Sequence, residues 1–116
     1  MRVIDVRSRI VDDAAVIYPG SYLNQLRGED IEVECRDLLA QGVRRLVINF
    51  HETELINSMG ISFLIGVIEA IREAGGRLVF ANLSATNREL FEMLGLLSHV
   101  HIEDTEERAL AHLREV

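Results

Sequence analysis

The chain has 116 residues, of which 48% are hydrophobic, 27% charged and only 5% aromatic, a composition that suits one soluble domain with an aliphatic core. Its formal net charge of −7 argues against nucleic acid and against an anionic membrane surface as partners, because both require clustered Lys and Arg. A single cysteine excludes an internal disulfide, and neither a signal peptide nor a membrane span is recognisable, so we expect a cytoplasmic protein.

An edge hairpin is predicted at the start of the chain. Residues 3–11 alternate in polarity as a half-exposed strand does, with Arg7 and Arg9 on the face opposite Ser8. The pair Asp12-Asp13 indicates a turn. Residues 14–18 form a second, more apolar strand, which completes the hairpin.

A first helix is predicted after a loop at residues 20–28. It begins between Asn24 and Glu29 and ends at Gly42, and its acidic residues should lie near its start. Its core-facing stripe consists of Ile31, Cys35, Leu38 and Leu39. We interpret Cys35 as a small core residue, because a reactive thiol requires exposure and cationic neighbours.

The rest of the chain alternates strands and helices. The predicted elements are strands at 46–50, 77–81 and 100–102, a long helix from the Asn57-Ser58 corner to Gly75-Gly76, a short helix from the capping box Thr86-Asn87-Arg88-Glu89 to Gly95, and a last helix from Asp104. This order predicts one α/β domain over residues 1–116, with a five-stranded, mostly parallel sheet, the N-terminal edge hairpin and four helices.

The polar corner Asn57-Ser58-Met59-Gly60 opens the long helix, and Asn or Ser is a favoured N-cap there. Apolar residues recur at helical spacing at Ile61, Leu64, Ile65, Ile68 and Ile71. Three further apolar residues, Met59, Phe63 and Val67, lie outside that stripe. The first half of the helix is therefore predicted to be deeply buried or to present apolar surface to a partner.

Enzyme and cofactor signatures are weak. Ser58 lacks the G-x-S-x-G frame of a nucleophile elbow, and Gly75-Gly76 precedes a strand, whereas a phosphate-binding glycine loop follows one. His99 and His101 alternate along a predicted strand, but no carboxylate or cysteine is placed to complete a metal site. The acidic run at 103–107 is explained by helix-start preference. We therefore predict no catalytic residue, no cofactor and no metal.

Ser58 has two interpretations, of which composition alone favours the first. It is either part of an ordinary helix cap or the acceptor of a regulatory phosphate. A phosphate there would be tolerated by the helix N-terminus, but it would place about −1.5 to −2 charges beside Met59 and Phe63. Such a switch would act on partner binding far more than on folding.

The segments around this corner resemble the central signature of STAS domains, and most closely that of bacterial anti-sigma factor antagonists. The resemblance is carried by Val43–Phe50, by Leu55-Ile56-Asn57-Ser58-Met59-Gly60-Ile61, by Gly75–Phe80 and by Leu90–Leu96. Two positions depart from the family pattern, because Asn57 and Asn24 stand where the family commonly has aspartate.

The resemblance implies a non-enzymatic regulator that works by partner switching. Unphosphorylated, it would bind an anti-sigma factor that is also a serine kinase; phosphorylation of Ser58 would release it, and a serine phosphatase would reset it. The implied partner face comprises Ser21, Tyr22, Asn24, Asn57, Ser58, Met59, Gly60 and Phe63. Two alternatives stay open: a STAS scaffold or accessory subunit of a signalling or lipid-transport assembly that binds without phosphorylation, and a small nucleotide-binding or hydrolytic α/β protein.

Overall fold

The computed structural model of the protein describes residues 6–116; the first residues of the predicted strand at 3–11 lie outside that range. The strands are β1 Arg7–Val11, β2 Ala14–Tyr18, β3 Tyr22–Leu23, β4 Arg45–Asn49, β5 Leu55–Ile56, β6 Arg77–Ala81 and β7 His101–Glu103. The α-helices are α1 Gln25–Ala40, α2 Ser58–Glu73, α3 Ala85–Met93 and α4 Glu106–Glu115, with a 3₁₀ turn at Leu96–Ser98.

The central sheet has five strands in the order β1-β2-β4-β6-β7. The β1–β2 hairpin is antiparallel, and every other neighbouring pair in this sheet is parallel. Asp12 takes a positive φ of 55° in the hairpin turn, a conformation that Asp tolerates better than most residues. The predicted single α/β domain with a mixed, mostly parallel sheet and an N-terminal edge hairpin is confirmed.

Helices cover both faces of the sheet, so the inner strands are apolar on both sides. On one face α1, α2 and α3 pack over a core that includes Ile17, Ile48 and Phe80. On the other face α4 packs through Leu110 and Leu113. The two faces therefore carry separate apolar clusters.

Successive side chains of β1 point to opposite faces of the sheet, so its polar residues reach the helices on both faces. Ser8 Oγ donates a hydrogen bond of 2.7 Å to Glu34 of α1 on one face. Arg9 contacts Tyr18 and Glu106 of α4 on the other. The predicted period of two is thus confirmed within the described part of this strand.

The helix ends follow local capping chemistry. The N-cap side chains of the four helices are those of Asn24, Asn57, Ser84 and Thr105, and each accepts a hydrogen bond from a backbone N–H in the first turn. The predicted starts at Thr86 and Asp104 are therefore wrong by a residue or two, because a neighbouring hydroxyl is the actual cap. The acidic residues of α1 lie in its second turn, since that helix already begins at Gln25.

Candidate functional site

A short parallel pair, β3 with β5, joins the loop after β2 to the corner that opens α2. Tyr22 pairs with Leu55, and Leu23 pairs with Ile56. The carbonyl oxygen of Ser21 accepts hydrogen bonds from the backbone N–H groups of Glu54 at 2.8 Å and Leu55 at 3.2 Å. Sequence patterns did not predict these two-residue strands, although they hold the loop residues beside Ser58.

Gly60 allows this close approach. A Cβ placed on Gly60 would lie 2.3 Å from the carbonyl oxygen of Leu23, far inside contact distance. Gly60 is buried, so it is not an exposed contact residue of the corner. Its part in the site is to let the first turn of α2 lie directly against β3.

Both asparagines that depart from the family pattern cap helices. Asn57 Oδ1 accepts from the Gly60 N–H at 2.9 Å, while its Nδ2 donates to the Tyr22 hydroxyl at 3.2 Å. Asn24 Oδ1 accepts from the Arg27 N–H at 3.1 Å. An amide therefore supplies the capping oxygen at both positions without adding a negative charge beside Ser58.

Ser58 is the first helical residue of α2 and is exposed. Its carbonyl oxygen accepts a hydrogen bond from Ser62 Oγ at 3.2 Å, whereas its own hydroxyl makes none to another residue in the described part of the chain. The cap is thus Asn57, which leaves the Ser58 hydroxyl available to solvent or to a partner.

Exposed apolar side chains border Ser58 and form what we call the corner patch. Its members are Tyr22, Leu26, Leu55 and Met59, which are between 41% and 65% exposed. Three of them, together with Asn24 and Asn57, line a shallow cleft of about 400 Å³. Leu26 and Leu55 were not among the predicted site residues. The one sequence signal for Leu26 is that this apolar residue lies off the core-facing stripe of α1.

Because α1 packs against α2, the buried and exposed residues of α2 differ from those predicted. Val67 is buried and Ile65 is 40% exposed, the reverse of the expectation that Ile65 belongs to the core stripe and Val67 does not. Phe63 is half-buried because it packs on Gly28 of α1, where an added Cβ would lie 2.6 Å from the Phe63 Cβ. Met59 is therefore the exposed apolar residue of α2 closest in sequence to Ser58.

A second polar group lies at the start of α4, on the other face of the sheet. The carboxylate of Glu106 accepts hydrogen bonds from the Tyr18 hydroxyl at 2.5 Å, from Asn49 Nδ2 at 3.0 Å and from Arg9. Burial disfavours the ionised carboxylate, but the hydrogen bonds outweigh it, and the pKa of Glu106 is lowered. Helix-start preference alone does not explain this residue.

Cys35 behaves as predicted from its position on the core stripe. It is 1% exposed, and burial raises the pKa of its thiol to about 12, with Glu34 and Glu32 adding to the shift. A thiol in that state is not a nucleophile at neutral pH.

The predicted absence of a metal cluster rested on the lack of a third ligand near His99 and His101. The structure shows that premise to be wrong for His101, because Glu103 and His112 lie beside it. His99 ends the 3₁₀ turn and is not in β7. No helix in residues 6–116 has both the length and the apolar character needed to cross a membrane.

Fold and site together define a small α/β domain that presents one serine at an exposed helix start. The model of the STAS domain family matches residues 5–109, and the chain belongs to that family. BtrV of Bordetella bronchiseptica, named as an anti-sigma factor antagonist, is 30% identical over 89 residues, which cover 77% of each chain.

Solved structures agree with this assignment. An anti-sigma factor antagonist from Thermotoga maritima has a TM-score of 0.85 and 21% identity, with 93% of each chain covered. The anti-sigma factor antagonist SpoIIAA in its unphosphorylated form has a TM-score of 0.78 and 24% identity, covering 96% of this chain and 99% of its own. SpoIIAA of Bacillus is also known in a phosphorylated form, with a TM-score of 0.74. At these identities the likeness concerns the fold.

Proposed function

We propose that this protein is an anti-sigma factor antagonist that works by partner switching, with Ser58 as the phosphoacceptor. In the unphosphorylated state it binds a cognate anti-sigma factor that is also a serine kinase. Phosphorylation of Ser58 by that kinase ends the complex, and a serine phosphatase restores the binding form. The observation that carries the proposal is the exposed Ser58 hydroxyl beside the corner patch, which bonds to none of residues 6–116.

The corner patch supplies the binding energy in this proposal. Exposed Tyr22, Leu55 and Met59 bury apolar surface when a partner docks, at about 25 cal/mol for each Å² removed from water. Aromatic and Met side chains are enriched in the cores of such interfaces. Ser58 lies in sequence between Met59 and Asn57, which bonds to the Tyr22 hydroxyl, so a partner docked on these side chains would reach the Ser58 hydroxyl.

A phosphate on Ser58 acts on the complex through desolvation. It adds about −1.5 to −2 charges, which the partly positive N-terminus of α2 stabilises in the free protein. In the complex the phosphate loses its hydrating water beside apolar side chains. That loss costs free energy unless a cationic group of the bound protein compensates for it. Binding is therefore weakened while the fold is kept.

The asparagines at 24 and 57 are compatible with this role. Each provides the capping oxygen that the helix start needs, so the scaffold of the corner does not depend on aspartate. The neutral Asn57 amide also lowers the repulsion that a phosphate on the next residue would meet. The protein is the substrate of the kinase in this scheme, needs no catalytic residue of its own, and acts in the cytoplasm with its partners.

The test is the affinity of Ser58 variants for the cognate anti-sigma factor, measured by calorimetry. We expect Ser58→Ala to bind within about threefold of wild type and Ser58→Asp to bind at least tenfold more weakly, which corresponds to about 1.4 kcal/mol. Ser62→Asp is the matched control, since Ser62 is exposed one turn further along α2, and it should bind nearly as wild type.

Equal binding of Ser58→Asp and Ser58→Ala contradicts the switch. That result would instead favour the alternative role, a STAS scaffold that binds without phosphorylation, which the two asparagines also suit. The variants Tyr22→Ala and Met59→Ala test the corner patch independently of the charge on Ser58. We expect both variants to lose affinity for the anti-sigma factor.

A further inference from the structure

Two histidines and a glutamate meet where the edge strand β7 packs against α4. The Nε2 atom of His101 lies 2.5 Å from Oε2 of Glu103. The imidazole rings of His101 and His112 lie 3.7 Å apart between centroids and are nearly parallel, at 7°. One potential ligand atom from each residue falls within 4.8 Å of the other two.

Topology explains why these three side chains converge. His101 and Glu103 are two residues apart on β7, so they point to the same face of the sheet. The helix α4 covers that face and presents His112 from its second half. The hydrophobic contacts of Leu110 and Leu113 hold the helix there, so the cluster does not depend on its own polar contacts for its position.

We propose that His101, Glu103 and His112 bind a Zn²⁺ ion, with water as the fourth ligand. Two imidazole nitrogens and one carboxylate oxygen form a ligand set that zinc accepts, at about 2.0–2.2 Å from each atom. Tetrahedral ligands at that length lie about 3.4 Å apart. The His101–Glu103 pair is closer than this and the ring stack is parallel, so binding replaces the hydrogen bond and turns one ring out of the stack.

The side chains have room for that adjustment. His101 is exposed, and Glu103 and His112 are partly exposed, so rotation does not disturb the buried cluster beneath them. The positive charge of Arg108 lies near Glu103 and opposes a cation there, so Zn²⁺ binding depends on the three ligands.

The ligand types favour zinc over the hard cations. Ca²⁺ and Mg²⁺ take six or more oxygen ligands, and these three residues offer only one carboxylate. A bound Zn²⁺ would join the edge strand β7 to α4 and stabilise the folded state by mass action. The three ligands come from β7 and α4 and none comes from α2, so the test of this site does not depend on the switch proposed for Ser58.

Calorimetry with ZnCl₂ on the full chain, after removal of any affinity tag, tests the proposal. We expect binding with one ion per chain, a rise in the thermal midpoint with excess Zn²⁺, and no such rise with Mg²⁺. His112→Ala should weaken Zn²⁺ binding at least tenfold. His99→Ala is the matched control, because this exposed histidine two residues before His101 lies outside the cluster, and it should bind as wild type.

The site would be overturned by a lack of Zn²⁺ binding by the wild-type protein, or by equal losses in His99→Ala and His112→Ala, which would show non-specific binding by surface histidines. Glu103→Gln, which keeps the shape of the side chain, serves as the second variant should His112→Ala fail to fold. It should also lose at least tenfold in affinity while keeping the wild-type circular dichroism spectrum, and an unchanged affinity would overturn the proposal as well.

Discussion

The first polar side chains of α2 and α4 differ in their hydrogen bonding to the rest of the protein. Each helix follows a strand and each has a polar residue in its first position, Ser58 in α2 and Glu106 in α4. Glu106 accepts hydrogen bonds from three side chains of the sheet. The Ser58 hydroxyl bonds to none of the described residues, while the side chain of Asn57 caps the helix start by accepting from the Gly60 N–H.

This difference separates a structural helix start from one that is available for binding. A polar group that already has its partners gains little from a new one and costs free energy when it is disturbed. A group without partners on a rigid, capped helix can be modified or covered at little cost to the fold. The predictions below test this contrast, from the largest expected effect on stability to the smallest.

The scaffold beneath Ser58 should be the most sensitive position. Gly60→Ala should reduce the free energy of unfolding by about 3 kcal/mol, because the added methyl group would meet the Leu23 carbonyl oxygen and force α2 away from β3. Gly66→Ala is the control: its Cβ meets nothing closer than 3.6 Å, and it should be neutral or stabilising by about 0.5 kcal/mol. Urea denaturation measures both, and a Gly60→Ala protein as stable as wild type would refute the close approach.

Removing the charge of Glu106 should have the second-largest effect on stability. Glu106→Gln should cost about 1–2 kcal/mol at neutral pH, since it weakens hydrogen bonds to a charged group. The folded-state pKa of Glu106 lies below its ordinary value of 4.5, so its contribution is present above pH 4.5 and is lost as the pH falls through the lowered pKa.

The pH dependence sharpens that test. Wild type and Glu106→Gln should converge in stability at acid pH and differ most near neutrality. Glu107→Gln is the matched control from the same helical turn, and at neutral pH it should cost less than Glu106→Gln, because it loses only the favourable placement of a charge at the helix start. A difference between wild type and Glu106→Gln that does not shrink on acidification would argue that the loss arises from altered packing.

The cap of α2 should have a smaller effect. Asn57→Ala removes the oxygen that accepts from the Gly60 N–H and should cost about 1 kcal/mol. Asn57→Asp keeps that oxygen and should stay within about 0.5 kcal/mol of wild type, because aspartate caps equally well. Thermal unfolding of the two variants makes the comparison; equal losses would mean that the Nδ2 contact to Tyr22 matters more than the cap.

Ser58 itself should matter least to stability. Ser58→Asp adds a charge at the favourable end of the helix and removes no hydrogen bond between the hydroxyl and a described residue, so its thermal midpoint should stay within a few degrees of wild type. A large loss of stability would show that the Ser58 hydroxyl is structural, like Glu106, and would remove the contrast between the two helix starts.

Local chemistry made much of the fold predictable. The glycines after α1, α2 and α3, namely Gly42, Gly75 and Gly95, adopt the positive φ values that helix ends favour, so those ends were placed well. Strand periods and apolar runs gave the order of strands and helices along the chain, from which a mostly parallel sheet with an edge hairpin was predicted. The corner at Asn57-Ser58 was recognisable because capping depends on residues close in sequence.

Tertiary packing decided the features that were missed. The two-residue strands β3 and β5 have no periodicity to detect and form only because the loop returns to the corner. Val67 is buried because α1 lies over it. The sequence pattern of α2 alone does not show where α1 packs. His112 is eleven residues from His101 in the chain and reaches it only through the docking of α4. Contacts of this kind require the fold before they can be inferred.

Phosphorylation of Ser58 is the most direct test of the central claim. The purified protein and its Ser58→Ala variant would be incubated with the cognate anti-sigma factor and ATP, and the modified residue mapped by mass spectrometry. We predict one phosphate per wild-type chain, located on Ser58, and none on Ser58→Ala. A phosphate on another residue, or none at all in a mixture where the two proteins bind each other, would contradict the switch.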